Sequence, residues 1–152
     1  MSGVNIALGT GWTWTGADWG AYDFVHADGT RLEVKQSAAR QSWEGNCVAR
    51  PTFDIAPRTG LWEGTNWRAA PGRNADLYLF AYHPLITSEA DHRNPAQWRF
   101  HIAAAASLPA SKSIGLRAVE RLGDAVTFVQ LAVAVEDARA KLYAPFTGND
   151  QR

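Results

Sequence analysis

The chain has 152 residues, of which 46% are hydrophobic and 20% charged, a balance typical of one domain with a substantial core. Fifteen basic and fifteen acidic side chains cancel, so any phosphate-binding surface must be a local patch and not a global field. Cys47 is the only cysteine, which excludes an internal disulfide framework and suits a reducing compartment. Neither a signal-like start nor a membrane-length apolar run is recognisable, so we expect a cytoplasmic protein that makes no membrane contact.

The first segment with a recognisable pattern, residues 9–20, sets Trp12, Trp14 and Trp19 among glycines and threonines. This broken pattern predicts a strand or a loop that packs on the next element. Aromatic side chains supply much of the buried area of a small domain, so core packing is favoured over a base-stacking or sugar-stacking platform. The tryptophans also allow the hypothesis of a carbohydrate-binding β domain, which would need them exposed on one face of a sheet.

Residues 22–35 form two short runs of alternating polar and apolar residues on either side of Asp28 and Gly29, a pattern that predicts a β-hairpin. A three-residue loop over 27–29, with Gly29 in the left-handed region, gives one apolar face and one polar face. The apolar face would hold Tyr22, Phe24, Leu32 and Val34, and the polar face Asp23, Glu33 and Lys35. A two-residue loop would mix polar and apolar residues on each face, so the pattern favours the longer loop.

The favoured register places Asp23 opposite Glu33, with β-carbons about 5 Å apart. Two carboxylates at that distance would repel by roughly 3 kcal/mol at an effective dielectric near 20, unless a cation lies between them. Mg²⁺ prefers one or two carboxylates together with carbonyl, water and phosphate oxygens. Lys35 on the same face could orient a water molecule or offset charge on a phosphate. The alternative is a solvated Glu33–Lys35 pair on an exposed strand.

Asp23, followed after nine residues by Glu33-Val34-Lys35, resembles the PD-(D/E)xK signature of nucleases with the restriction-endonuclease-like fold. Tyr22 stands at the position of the proline in that name. More narrowly, the sequence from Glu33 to Trp43, together with residues 73–83 and 97–100, is similar to a group of uncharacterised bacterial proteins with that core.

The resemblance covers about residues 17–143 and implies a restriction-endonuclease-like domain that cleaves DNA with Mg²⁺ or Mn²⁺. It implies that Asp23 and Glu33 are metal ligands, and in the mechanism that we expect from this the main-chain carbonyl of Val34 completes the protein's share of the metal site. It also implies that Lys35 is the catalytic lysine and that Gln41 supports the active site.

The segment after the hairpin predicts a helix over 38–44 that Ser37 can cap. This helix would bring Arg40 and Gln41 near the strand end that bears Lys35. Arg40 is therefore a candidate for contact with a substrate phosphate, with an ordinary exposed helix charge as the equally supported alternative.

Residues 51–55 predict a strand, and residues 56–75 predict a long loop, because that stretch shows no periodicity and is rich in Gly, Pro, Arg and Trp. Loops of this length are usually functional or disordered. Basic and aromatic residues together suit a surface that contacts a nucleic-acid backbone and stacks on bases. Arg73 in this stretch is the second candidate for contact with DNA.

The C-terminal half predicts a buried strand over 76–82, begun by Asp76 as a turn or cap residue, and an alternating strand over 99–104. A short helix over 116–122 and a longer amphipathic helix from about residue 128 to 142 follow, and residues 145–152 form a polar tail. His83, His92 and His101 are too scattered to predict a zinc site.

Together these elements predict a single α/β domain with a mixed central sheet flanked by helices. The expected function is metal-dependent hydrolysis of DNA phosphodiester bonds, in restriction, defence or repair. The alternative is a catalytically impaired module of the same fold that binds nucleic acid or a protein, which the short stretch before Gly9 and the neutral charge favour. A homodimer is expected only by analogy, since cutting both strands of a duplex often uses paired sites.

Overall fold

The computed structural model describes residues 8–15, 22–39, 51–63 and 66–143, and for residues 58–63 and 66–71 it describes the backbone alone. The strands in these residues are β1 (Trp12–Trp14), β2 (Phe24–His26), β3 (Arg31–Ala38), β4 (Thr52–Asp54), β5 (Arg58–Glu63), β6 (Asn66–Gly72), β7 (Leu77–His83), β8 (Arg99–Ala104) and β9 (Ser113–Gly115). The α-helices are α1 (Leu116–Leu122) and α2 (Leu131–Tyr143), and three short 3-10 helices lie at Pro95–Gln97, Ala105–Ser107 and Phe128–Gln130.

The central sheet has five strands in the order β1-β2-β3-β7-β8. The first three strands form an antiparallel meander, β3 and β7 are parallel, and β7 and β8 are antiparallel. The sheet is therefore mixed, and the predicted α/β class is confirmed. Two smaller sheets, β4 with β9 and β5 with β6, lie outside it.

The predicted three-residue hairpin loop is confirmed. Gly29 has a φ of +95°, the left-handed conformation that favours glycine. Its N–H donates to the carbonyl of His26 at 2.9 Å, and the N–H of His26 donates to the carbonyl of Thr30 at 2.8 Å. This register pairs Phe24 with Leu32 and lets both side chains reach zero exposure.

The sheet separates two hydrophobic clusters, because successive strand residues point to opposite faces. The first cluster contains Leu32 and Val34 of β3 and is covered by Leu131 and Val135 of α2. The second cluster contains Tyr78 and Phe80 of β7 and is covered by Phe53 and Ile55 near β4, Ile114 of β9 and Val119 of α1. Glu33 pairs with Tyr78 and Lys35 with Phe80 in the parallel ladder, so both charged residues face the second cluster.

The prediction that Tyr22 shares the apolar face of Phe24 is wrong, since Tyr22 packs against the second cluster and Phe24 belongs to the first. The ladder ends where Phe24 pairs with Leu32, and the N–H of Asp23 also donates to the carbonyl of Leu32, at 3.0 Å. Asp23 and Phe24 thus both lie opposite Leu32, and two residues opposite one is the geometry of a β-bulge. Beyond a bulge, the side chains of the strand switch to the other face of the sheet.

The long structureless loop predicted over 56–75 is also wrong, because residues 58–63 and 66–72 pair as an antiparallel hairpin. The register shifts between Arg58 and Gly60. This irregularity, together with the glycines and Pro71, removes the strict alternation by which a strand is recognised in sequence.

The strand β3 continues through Ala38, where a helix capped by Ser37 was predicted. Tertiary pairing decides this point, because β7 offers a parallel partner for every residue of β3 from Leu32 to Ala38. Ala39 donates its N–H to the carbonyl of His83 at 2.9 Å, while residues 40–44 of the predicted helix and the predicted tail lie outside the described residues. The strands expected over 51–55, 76–82 and 99–104 and both predicted C-terminal helices are confirmed. None of the helices in the described ranges has the length and apolarity needed to span a membrane.

Candidate functional site

The carboxylate of Asp23 lies against the backbone of β3. Its Oδ2 accepts a hydrogen bond from the N–H of Val34 at 2.7 Å. The bulge makes this contact possible, since β2 no longer supplies a main-chain partner at this level of β3. Asp23 is therefore next to Val34, where the resemblance predicts it, but it lies just outside the regular ladder and not within a pair with Glu33.

Glu33 and Lys35 form an ion pair on the face of the sheet that packs against the second hydrophobic cluster. The distance from Lys35 Nζ to Glu33 Oε1 is 3.2 Å. The side chain of Lys35 is 22% exposed and that of Glu33 is 9% exposed. The alternative of a solvated pair on an exposed strand is therefore wrong, because the layer formed by β4, β9 and α1 covers this face.

The three charged residues lie at or next to Val34, either in the chain or through a hydrogen bond to its N–H. In an extended strand the N–H and C=O of one residue point in the same direction, so the Val34 carbonyl faces the side from which Asp23 approaches. Glu33 and Lys35 flank Val34 in the chain. A carboxylate, a main-chain carbonyl, a second carboxylate and an ammonium group are thus grouped around one peptide segment.

These groups offer oxygen atoms of the types that bind metal ions in proteins. Carboxylate and carbonyl oxygens are the ligands that Mg²⁺ prefers, and two carboxylates with a carbonyl suffice when substrate and water complete the shell. In the part of the chain that the structure describes, no three His, Cys, Asp or Glu side chains are grouped so that they could hold an ion. The donor types therefore fit Mg²⁺, with two carboxylates and not three.

Thr15 is a residue of this region that the sequence analysis missed. Its N–H donates to the carbonyl of Asp23 at 2.9 Å, and its hydroxyl lies 2.6 Å from the carbonyl of Tyr22 and 3.0 Å from that of Asp23. Thr15 follows β1 directly, and these bonds hold the backbone of Asp23. No local sequence signal identifies it, because the contact depends on how β1 pairs with β2.

Arg73, predicted to contact DNA, is bonded to main-chain carbonyls. Its Nε donates to Ile55 at 2.9 Å, and its Nη2 donates to Pro109 at 2.6 Å and to Ser111 at 3.1 Å. The guanidinium thus joins the base of the β5–β6 hairpin to the loop before β9. Arg40 and Gln41, the other predicted site residues, lie outside the described residues.

The structure brings two of the three scattered histidines together. His83 is fully buried and contacts the rings of His92 and Trp98 at centroid distances of 4.7 and 5.1 Å. His101 lies elsewhere, with its Nδ1 2.8 Å from the carbonyl of Gly123.

A second charged cluster joins the hairpin turn to α2. Arg139 donates to Asp28 Oδ2 at 2.6 Å and to Glu136 Oε2 at 2.6 Å, and the OH of Tyr143 lies 2.8 Å from the hydroxyl of Thr30. The pKa of Asp28 is held well below its usual range, chiefly by the hydrogen bond from the Thr30 N–H and also by Arg139. The pKa of Glu136 is lowered chiefly by its hydrogen bond from Arg139. This cluster fixes α2 across the first hydrophobic cluster.

No protein-family model matches the chain, and no curated protein and no solved structure matches it either. The residues and their geometry are therefore the basis for any statement about function.

Proposed function

We propose that this protein is a metal-dependent nuclease of the restriction-endonuclease-like fold that hydrolyses phosphodiester bonds of DNA. The observation that carries the proposal is the grouping of Asp23, Glu33 and Lys35 around Val34. Asp23 Oδ2 is 2.7 Å from the Val34 N–H, and Lys35 Nζ is 3.2 Å from Glu33 Oε1.

Burial adds to the support for this proposal. A Glu and a Lys on the covered face of a sheet cost desolvation free energy, and replacing such a pair by apolar residues is often neutral or stabilising. A charged pair in that position is therefore a candidate for a functional role. Asp23, whose carboxylate is bonded to the N–H of Val34, supplies a second carboxylate next to this pair.

In this proposal Asp23, Glu33 and the carbonyl of Val34 would hold Mg²⁺ or Mn²⁺. The ion would supply Lewis-acid stabilisation of the phosphate and a water molecule of lowered pKa. Lys35 would turn its ammonium group from Glu33 towards the phosphate oxygens, where it offsets the negative charge of the transition state. Thr15 would keep the Asp23 backbone in place.

The test is cleavage of supercoiled plasmid DNA with Mg²⁺ or Mn²⁺ by the wild type and by Asp23→Asn and Lys35→Met variants. Each substitution should lower the cleavage rate by at least about 100-fold at a temperature at which circular dichroism shows the variant to be folded. Asp54→Asn is a matched control, because Asp54 Oδ1 also accepts a backbone N–H, that of Ala56 at 2.9 Å, but lies on β4. Lys112→Met, at an exposed position, is the control for the lysine. Wild-type protein that leaves the DNA intact, or variants that cut as well as the controls, would contradict the proposal.

A second candidate is a module of the same fold that binds DNA without cutting it. The specific observation in its favour is that the oxygens in question already have partners: Lys35 for Glu33 and the Val34 N–H for Asp23. Retention of DNA in a gel-shift experiment, with no cleavage under any metal, would select this candidate over the nuclease.

A further inference from the structure

Two arginines of α1 differ from the other arginines whose side chains the structure describes. Neither Arg117 nor Arg121 forms a hydrogen bond or an ion pair with another described residue. The other described arginine side chains all donate hydrogen bonds, and they are those of Arg31, Arg73, Arg93, Arg99 and Arg139. Among the described side chains, Arg117 and Arg121 therefore carry the guanidinium groups that can bind an anion without giving up an internal partner.

Both arginines point away from the core. Val119, midway between them in the chain, is fully buried in the second hydrophobic cluster. Each residue of an α-helix is turned by about 100° from the one before, so positions 117 and 121 lie about 160° from the direction of Val119. Both residues are exposed, and residues four apart are neighbours on a helix surface. The two guanidinium groups thus form one positive surface on the outer side of α1.

This helix lies on the side of the sheet that carries the proposed active site. It covers the second hydrophobic cluster, which Glu33 and Lys35 also face through their pairing with β7. Tyr82 pairs with Ser37, two residues beyond Lys35 and on the same face. The pKa of Tyr82 is raised by burial and also by the charge of Glu120, so Glu120 of α1 lies close to this end of the strand that bears Lys35.

The chemistry of the two arginines fits phosphate groups. A guanidinium group can donate two parallel N–H bonds to one phosphate, which fixes the geometry as well as the charge of the contact. On the other side of the sheet, Arg139 of α2 is bonded to Asp28 and Glu136. The charge complementarity to a polyanion therefore favours the outer side of α1.

We propose that Arg117 and Arg121 bind the phosphate backbone of duplex DNA, so that the duplex passes over α1 on the side of the sheet that holds Lys35. The juxtaposition of two unpaired, outward-pointing guanidinium groups on the helix that covers the face of Lys35 carries this proposal. It rests on the proposed nuclease function for its choice of DNA as the ligand. Phosphate contacts position a protein on DNA without reading its sequence, so this binding should not depend on base sequence.

The experiment measures binding of a fluorescein-labelled duplex by fluorescence anisotropy, in EDTA so that no cleavage occurs, at salt concentrations from about 50 to 200 mM. The Arg117→Gln/Arg121→Gln double variant should bind roughly tenfold more weakly or worse at the lowest salt concentration. The slope of log affinity against log salt concentration should become shallower by about 1.8, since each lost phosphate contact accounts for about 0.9. A duplex of unrelated sequence should show the same loss.

Three further variants separate phosphate contact from loss of structure. Arg117→Lys/Arg121→Lys keeps both charges and should keep the salt slope. Arg93→Gln/Lys141→Gln removes the same number of charges at exposed positions outside α1 and should also leave the slope unchanged. Glu120→Gln removes a carboxylate beside the two arginines and should strengthen duplex binding, an effect that loss of structure does not produce.

Circular dichroism at the assay temperature shows whether each variant is folded. A wild type that does not bind the duplex, or a double variant at Arg117 and Arg121 to Gln with the wild-type slope, would overturn the proposal. It would also be overturned by an equal change of slope in Arg93→Gln/Lys141→Gln or by weaker binding of Glu120→Gln.

The two proposals fail in different ways. Duplex binding that needs Arg117 and Arg121, without cleavage in Mg²⁺ or Mn²⁺, would refute the nuclease and support the arginine contact. Cleavage that depends on Lys35 but proceeds with unchanged kcat and KM in Arg117→Gln/Arg121→Gln would refute the arginine contact and leave the nuclease in place.

Discussion

Replacement of Lys35 by methionine offers the sharpest test of how the buried ion pair contributes to stability. Methionine keeps most of the unbranched stem of lysine but lacks its charge, and the side chain of Glu33 is only 9% exposed. At 3.2 Å the attraction between the two charges is about 5 kcal/mol at an effective dielectric near 20, and desolvation of both groups offsets most of it. We therefore expect Lys35→Met to lower the free energy of unfolding by roughly 3–5 kcal/mol, because it leaves a buried carboxylate without its ammonium partner.

The assay is urea denaturation at neutral pH, followed by circular dichroism. The Glu33→Gln/Lys35→Met double variant removes both charges and should lie within about 2 kcal/mol of the wild type, so that the cycle shows a strong coupling between the two sites. Lys112→Met at an exposed position should change stability by no more than about 0.5 kcal/mol. A Lys35→Met variant as stable as Lys112→Met, or a double variant as unstable as Lys35→Met, would refute this reasoning about the pair.

Three further predictions concern other parts of the molecule. The pKa values of Asp28 and Glu136 are lowered in the folded state from 3.8 and 4.5. The ionised carboxylates therefore contribute fully to stability above pH 4.5, and this contribution is lost as the pH falls further and they become protonated. Arg139→Met should flatten this acid dependence, which urea titrations at a series of pH values measure. Phe80→Ala should cost about 3–5 kcal/mol, since Phe80 is fully buried and its ring contacts those of Phe53 and Tyr78. A loss below about 1 kcal/mol in the same titration would contradict that packing. If Asp23 holds the metal as proposed, Thr15→Val should lower DNA cleavage about 10- to 100-fold, as for other residues that orient a metal ligand. The loss in stability should be only about 1 kcal/mol, and an unchanged cleavage rate would show that the Asp23 backbone needs no such support.

Local chemistry explains why parts of the fold were predictable. Gly29 after Asp28 indicates a hairpin loop because few other residues adopt a positive φ, and the alternation of Phe24 and Leu32 with polar neighbours selects the register. The continuous apolar run of β7 and the three- and four-residue spacing of Leu131 and Val135 are equally local signals.

The candidate site was predictable only in its residue types. Glu33, Val34 and Lys35 could be placed together because they are consecutive on one strand. The bulge at Asp23 could not be predicted, because it arises from the meeting of three segments: β1 with Thr15, the end of β2, and the backbone of Val34. Arg73 shows the same limit, since its carbonyl partners at Ile55 and at Pro109 and Ser111 belong to two segments that are remote from Arg73 in sequence.

The amino-acid sequence by itself determined the hairpin turn, the strand that bears Glu33 and Lys35, and the helices of the C-terminal half, because turn chemistry and hydrophobic periodicity act over a few residues. Only the tertiary structure decided that Tyr22 and Phe24 lie on opposite faces, that β3 runs on to Ala38 and that residues 58–72 pair as a second hairpin. Each of these outcomes depends on which strand supplies the hydrogen-bonding partner, and that partner is chosen by the packing of the whole chain.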